Sequence, residues 1–295
     1  NIKVILPGTF MMQYPNADPF NFLGLPEQNY KKAKVVILPV PYSSTTFWKS
    51  GAKDGPQALI EASRYLEDYD IETKKDVAKT GIFTLEALEP SKNSPLETIE
   101  RVEKVINSLL NDKKFVVTVG GEHSITIGTV GAFVKRIKNL SVLYFDAHLD
   151  SRNELEGTKY SHGCVARRIR EFGVPVTQVG IRSASEEEAE YVKKEKIKTI
   201  FLSPELPINK IVATLKQNVY ISFDLDVFDP SVMPSTGTPE PGGLGWLETL
   251  KLIKEISKKR KIIGADVVEL NPIPGLHAPD FLAAKLVYKI ISYVI

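Results

Sequence analysis

The chain has 295 residues, 43% hydrophobic and 25% charged, ordinary values for a globular protein near the upper limit of one hydrophobic core. Its 38 Lys and Arg nearly balance 36 Asp and Glu, and a formal net charge of +2 offers no electrostatic footprint for nucleic acid or an anionic membrane. One cysteine, Cys164, excludes an intrachain disulfide and a Cys-x-x-Cys metal site. No apolar run reaches the ~20 residues of a membrane span, and the short apolar start does not read as a secretory signal, so a cytoplasmic protein is expected.

The first 30 residues, rich in Pro, Asn and aromatics, are expected to wrap the surface as irregular chain. After them, short β-branched runs alternate with amphipathic segments of helical length. A strand at 35–40 precedes helices at 56–66 and 96–111. Strand 115–119, helix 124–137, strand 141–145, helix 162–172 and strand 176–179 follow. Helix 185–195, strands 199–202 and 219–223, helix 246–259, strand 261–268 and helix 278–294 complete the pattern. Most strands are apolar throughout, as parallel strands covered on both faces must be. The expectation is α/β: a single domain over 1–295 in three α/β/α layers around a mostly parallel sheet. No Gly-x-Gly-x-x-Gly fingerprint or Gly-Lys-Ser/Thr phosphate loop is present.

Two acidic clusters follow strands: Asp146-Ala-His148-Leu-Asp150 and Asp224-Leu-Asp226. Side chains two apart share a face of an extended chain, so each cluster aims carboxylates in one direction. Like charges repel and burial penalises each one, so a cation is needed. His123, in Gly-Gly-Glu-His-Ser after the 115–119 strand, joins them at the edge where open parallel sheets bind ligands. His123, Asp146, His148, Asp150, Asp224 and Asp226 are too many ligands for one zinc and suit two divalent ions sharing carboxylates. Four aspartates at −4 balance two such ions, and a pair of ions can activate a shared water. Oxygen-dominated ligands without thiolate favour manganese.

Glu269 ends another strand and matches the planar fork of a guanidinium, or else caps a turn. Cys164 reads as a small buried residue, His277 as a turn residue before the last helix, and the Thr236–Gly243 run as turn chemistry.

These residues resemble the ureohydrolase family of arginases and agmatinases. The similar pieces are Gly-Gly-Glu-His-Ser (120–124), Phe-Asp-Ala-His-Leu-Asp (145–150), Ser-His-Gly (161–163) and Phe-Asp-Leu-Asp-Val-Phe-Asp-Pro (223–230). Thr-Gly-Thr-Pro-Glu-Pro-Gly-Gly-Leu (236–244), Val-Val-Glu-Leu-Asn-Pro (267–272) and the early runs at 40–46 and 51–59 extend the likeness over most of the chain. The resemblance implies two Mn2+ ions, with His123 and Asp150 on one, His148 and Asp226 on the other, and Asp146 and Asp224 bridging. It also implies Glu269 orienting a guanidinium, His162 shuttling protons, and assembly as a homo-oligomeric trimer or hexamer. Asp150 would relay a proton to the leaving amine, with His162 exchanging it with solvent.

A small cationic guanidino substrate is expected, agmatine first, giving putrescine and urea. Where arginases carry an asparagine after the first Asp cluster, this chain has Arg152. An arginine there would repel a distal ammonium unless paired, for example with Glu154 or Glu156. It would otherwise welcome a carboxylate, as in guanidinobutyrate or formiminoglutamate. Arginine and aminopropylagmatine are further options within the family. A two-metal phosphoesterase and a non-catalytic metal-bound scaffold are the distant alternatives. Glu269 argues against the first, and a complete ligand set argues against the second.

Overall fold

Eight strands pair side by side in one sheet: β1 (Val35–Val40), β2 (Ile82–Thr84), β3 (Phe115–Gly120), β4 (Leu140–Phe145), β5 (Val176–Ile181), β6 (Ile200–Leu202), β7 (Asn218–Asp224) and β8 (Lys261–Val268). Every pairing is parallel, and the spatial order is β6-β5-β4-β7-β8-β3-β1-β2. This computed structural model describes residues 4–5, 11–12, 17–46, 48–204 and 206–295.

The strands are apolar throughout because both faces are covered. Alternate side chains divide between two cores. Val35, Ile37, Val117, Leu143, Phe145 and Ile221 face α1 (Gly55–Ser63), and with it α6 (Ile208–Thr214), α7 (Trp246–Lys259) and α8 (Ala278–Val294). Val36, Leu38, Val116, Val142 and Tyr144 face α2 (Pro95–Asn111), α3 (Thr126–Val134) and α4 (Val165–Glu171). Helix α5 (Glu186–Lys194) buries only Glu188. The three-layer α/β/α architecture is therefore as expected, and the sheet is wholly parallel.

Strand and helix centres agree with the periodicity; the differences lie in short elements. β2 has three residues and one partner, β1, too little to generate a pattern of its own. α6 is a seven-residue helix begun after Pro207. The segments expected as helices 124–137 and 162–172 open with 3-10 turns at His123–Ile125 and His162–Cys164. A two-residue hairpin pairs Tyr69–Asp70 with Lys75–Asp76. Part of the expected N-terminal wrap, residues 1–3, 6–10 and 13–16, lies outside the described residues. Of the remainder, Val4–Ile5 pairs with Met11–Met12 and Phe22 is buried in a 3-10 turn, so the segment is not wholly irregular. No helix among the described residues is long and apolar enough to cross a membrane.

One charge lies inside the packing at α8. Lys289 is 5% exposed and donates to Asp70 Oδ2 at 2.8 Å and Glu72 Oε2 at 2.5 Å. Tyr293 and Lys254 also donate to Glu72. Burial alone would raise the Glu72 carboxyl, but the donors Lys254, Lys289 and Tyr293 outweigh it and hold it down at about 2. Removing one partner of a buried pair leaves an uncompensated charge, so Lys289→Met is expected to cost about 3 kcal/mol in urea unfolding. Because the folded-state pKa of Glu72 is depressed, its contribution is complete above the ordinary value of 4.5 and is lost as pH falls toward 2. The stability gap between wild type and Lys289→Met should therefore narrow over that window; a gap constant with pH would contradict the assignment.

Candidate metal centre

The four central strands, β4, β7, β8 and β3, end beside one another, and the six expected ligands and Glu269 lie at or just beyond those ends. The pleat aims only part of them: Asp224 ends its strand, and His148 keeps a single bridge to Ser183. β4 stops at Phe145, and Asp146 to Asp150 is loop in which Asp150 adopts φ +47. Asp224 is the last residue of β7, while Asp226 sits in a 3-10 turn, Leu225–Val227, where its backbone N–H donates to Asp224 Oδ1 at 2.8 Å. Turn geometry thus replaces the extended alternation expected from the sequence. Asp150 and Glu269 (φ +65) both hold left-handed backbone, conformations that cost energy and cluster at functional sites.

The six expected ligands converge. His123 Nδ1 lies 3.2 Å from Asp146 Oδ2, 3.5 Å from Asp150 Oδ2 and 3.1 Å from Asp224 Oδ2. His148 Nδ1 lies 3.5 Å from Asp146 Oδ1 and 2.9 Å from Asp226 Oδ2. Two groups result, His123–Asp146–Asp150 and Asp146–His148–Asp226, each with donor atoms within 4.8 Å of one another. They share Asp146, which turns one oxygen toward each.

These residues fit divalent cations on two counts. Asp146 Oδ2 is buried and has no hydrogen-bond partner, although His123 Nδ1 stands nearby, so both atoms aim at a common point rather than at each other. The donor set is oxygen and imidazole only, which suits hard or borderline divalent metals.

The titration pattern points the same way. Burial, then the Asp146 charge, pushes Asp150 well above the carboxylate range, and burial with the Asp226 charge does so for Asp224. Burial would lower His123, yet the Asp146 carboxylate beside it outweighs that and lifts it to about 9. Burial would likewise lower His148, yet the Asp226 charge overcomes it and raises that imidazole further still. The imidazoles here borrow protons to offset carboxylates, and a metal requires them neutral.

A cavity of about 450 Å3 opens over these groups, lined also by Thr46, Trp48, Arg152, His162, Glu188, Glu240 and Glu269. Glu269 Oε1 accepts the His123 backbone N–H at 2.6 Å, and burial, with the Glu122 charge adding, lifts its carboxyl to about 8. Burial holds His162 below its ordinary value. Arg152 meets neither Glu154 nor Glu156 as anticipated; its Nε lies 3.8 Å from Glu188 Oε2. Cys164 is buried and His277 lies at the exposed start of α8, as expected, and neither lines the cavity.

A family model described as the arginase family matches residues 33–292. The chain belongs to the arginase family. Among arginase-family relatives it is 38% identical over 277 residues to the N(1)-aminopropylagmatine ureohydrolase of Synechocystis sp., covering 90% of each chain. It is 35% identical over 276 residues to the agmatinase of Pyrococcus horikoshii, covering 91% of this chain and 94% of the other. The solved agmatine ureohydrolase of Thermoplasma volcanium superposes with a TM-score of 0.81 at 32% identity, covering 90% of this chain and 91% of that one. The chain is thus a ureohydrolase of agmatinase type, and its fold is the arginase-family fold.

Several residues at the site escaped the sequence reading. Tyr144 stacks on His123 at 4.6 Å and donates to Asp150 Oδ2 at 2.7 Å. Ser222 Oγ lies 2.8 Å from His123 Nε2 and donates to the buried Asp266 at 2.9 Å. Glu240 hides in a run read only as a turn. A buried carboxylate on the neighbouring strand but 143 positions from its histidine leaves no signal in linear spacing; Glu240, inside a quoted motif, did leave one.

Calorimetric titration with manganese should find two ions per chain. Asp226→Asn should reduce this to one, and Asp146→Asn, which touches both groups, should weaken both ions; two undiminished ions in Asp146→Asn would remove its shared role.

Proposed function

We propose that this arginase-family chain binds two manganese ions and hydrolyses the guanidino group of a small cationic alkylguanidine, agmatine first, to urea and a diamine. The observation that carries the substrate class is the charge pairing in the cavity. Arg152 packs against Gly163 and leans on buried Glu188, so its charge is answered within the wall. Glu188 is itself occupied by the Ser151 and Ser185 backbone N–H groups. Glu269 matches a guanidinium. Glu240 is left over: its carboxylate has no hydrogen-bond donor among the described residues and lies 3.8 Å from His148 Nε2. A second cationic end on the substrate would satisfy it.

His123, Asp146, Asp150 and Asp224 would hold one ion, and Asp146, His148, Asp224 and Asp226 the other. Bound there, two divalent cations supply Lewis acidity toward water at neutral pH. The chain's own groups do the rest. Glu269 presents a planar carboxylate that orients the guanidinium through paired hydrogen bonds, converting attack into an oriented, effectively unimolecular step. As the C–N bond breaks, the leaving nitrogen must gain a proton. Asp150 hands it over at its carboxylate, and His162, neutral near pH 7, exchanges protons with solvent. Arg182 keeps the far wall fixed by donating to the carbonyls of Asp226, Phe228 and Glu240. By analogy with its family the chain would work as a homo-oligomer.

A second reading, N(1)-aminopropylagmatine, has an observation of its own. The cavity reaches Trp48, 64% exposed at the rim, beyond the residues that one short diamine tail would occupy. The relative from Synechocystis is named for that substrate.

Urea release with manganese should be strongest with agmatine, with aminopropylagmatine as the competitor and arginine and guanidinobutyrate weak; formiminoglutamate, which can yield only formamide, should be turned over weakly when formamide is followed. Absence of urea from every guanidine would end this reading. His162→Ala should cut turnover about a hundredfold while keeping both ions. Glu240→Gln should raise KM for agmatine about tenfold, a loss of ~1.4 kcal/mol, with a smaller penalty on butylguanidine, whose tail is uncharged. Equal penalties on the two would place the distal amine elsewhere.

A further inference from the structure

Glu122 precedes His123, is fully buried, and has no part in the mechanism above. Its position depends on Gly121: a Cβ there would sit 1.8 Å from the Tyr42 carbonyl oxygen, so only glycine lets the end of β3 press against the chain after β1. Four donors then converge on the Glu122 carboxylate. Oε2 accepts the backbone N–H of Ser44 at 2.5 Å and of Thr45 at 2.7 Å. Oε1 accepts the Thr45 hydroxyl at 2.6 Å and the Ser124 hydroxyl at 2.6 Å.

A threonine hydroxyl carries one proton and two lone pairs. That proton is committed to Glu122, so toward any other neighbour Thr45 Oγ1 acts only as an acceptor. Both of its remaining contacts come from His162: the backbone N–H donates at 3.1 Å, and ring Nδ1 lies at 3.3 Å. Nδ1 gains from that contact only when it bears a proton. Ser161 Oγ, 3.2 Å from the same nitrogen, can accept from Nδ1–H or donate to a bare Nδ1, so it fits either tautomer and Thr45 decides between them. In the opposite tautomer the Nδ1 lone pair would face the lone pairs of Thr45. Neutral His162 therefore carries its proton on Nδ1 and leaves Nε2 bare, with no hydrogen-bond partner among the described residues, for the cavity it lines.

We propose that Glu122, acting through Thr45, is a positioning residue that sets the tautomer of His162, making Nε2 the atom that takes and gives the proton. The inference rests on the assignment of His162 to proton exchange. A histidine in the wrong tautomer presents N–H where a base is needed and loses its acid–base function.

The substitution Glu122→Gln tests this. Two backbone N–H groups require an oxygen at the Oε2 position, so the amide NH2 must take the Oε1 position and donate to Thr45. The Thr45 proton is then released toward His162 Nδ1, and the tautomer should invert. The readout is the ring 15N spectrum of full-length chain loaded with zinc, a diamagnetic ion, with the His162 signals identified by their loss in His162→Ala. Wild type should show the proton on Nδ1 and Glu122→Gln should show it on Nε2. Should Glu122→Gln fail to fold, Thr45→Val and Thr45→Ser supply the comparison. Valine should abolish the Nδ1–H preference and lower kcat about tenfold or more with little change in KM, and serine should restore both. Wild type protonated on Nε2, an unchanged tautomer in Glu122→Gln, or equal behaviour of Thr45→Val and Thr45→Ser would each overturn the proposal. If His162→Ala turned over normally, the proton-exchange assignment would fail instead, while the spectra would still report on Glu122.

Discussion

Four aspartates brought within contact of two histidines at the end of a buried sheet form the constraint around which the rest of this protein is arranged. Asp146, Asp150, Asp224 and Asp226 are each under a tenth exposed. No apolar packing compensates for that; the electrostatics require opposing charge and dense hydrogen bonding. The surroundings comply. Backbone N–H groups of Ala147, His148 and Asp226 each donate to a carboxylate of the set. Tyr144 buttresses both Asp150 and His123. Behind them Asp266 receives Thr126, Thr129, Tyr220 and Ser222, and Ser222 in turn faces the outer nitrogen of His123. Polar partners behind a ligand fix its ring and its donor atom, so this layer determines the geometry that the aspartates alone could not hold.

The second determinant is the sheet edge. Helices bury both faces of the strands, which leaves the carboxyl ends of β3, β4, β7 and β8 as the region where polar side chains from distant parts of the chain can meet. On the proposed function, substrate discrimination would lie one step further out, in loops. There Arg152 is neutralised by Glu188, whereas Glu240 is not neutralised, and the balance between those two pairings sets the charge that a ligand encounters.

Much of this was legible in the sequence, for identifiable reasons. Doubly covered parallel strands read as unbroken apolar runs, so seven of the eight strands declare themselves; β2, three residues on an edge, has too little pattern to do so. Asp146, His148 and Asp150 stand close in the chain, and the gathering of acidic residues signals a cation whatever the local backbone. The backbone itself was misjudged: a left-handed Asp150 and a 3-10 turn at Asp226 perform what strand alternation was expected to do. Partners that meet only through tertiary structure left no trace. Arg152 with Glu188, Ser222 with His123, and Thr45 with both Glu122 and His162 are separated by 36, 99, 77 and 117 positions.

The strand order has a consequence for how the molecule is made. β1 to β3 form one block and β4 to β6 another, and neither touches the other: β7 and β8 lie between them. In a chain made from its N-terminus, these two half-sheets cannot be joined until residues 218–268 emerge, and before then the inner border of each lacks its strand partner. The last strands made are the keystone of the arch. Until they arrive the nascent protein has two sticky margins and dispersed ligands, so its hazard during synthesis is self-association, which ends only when the centre closes.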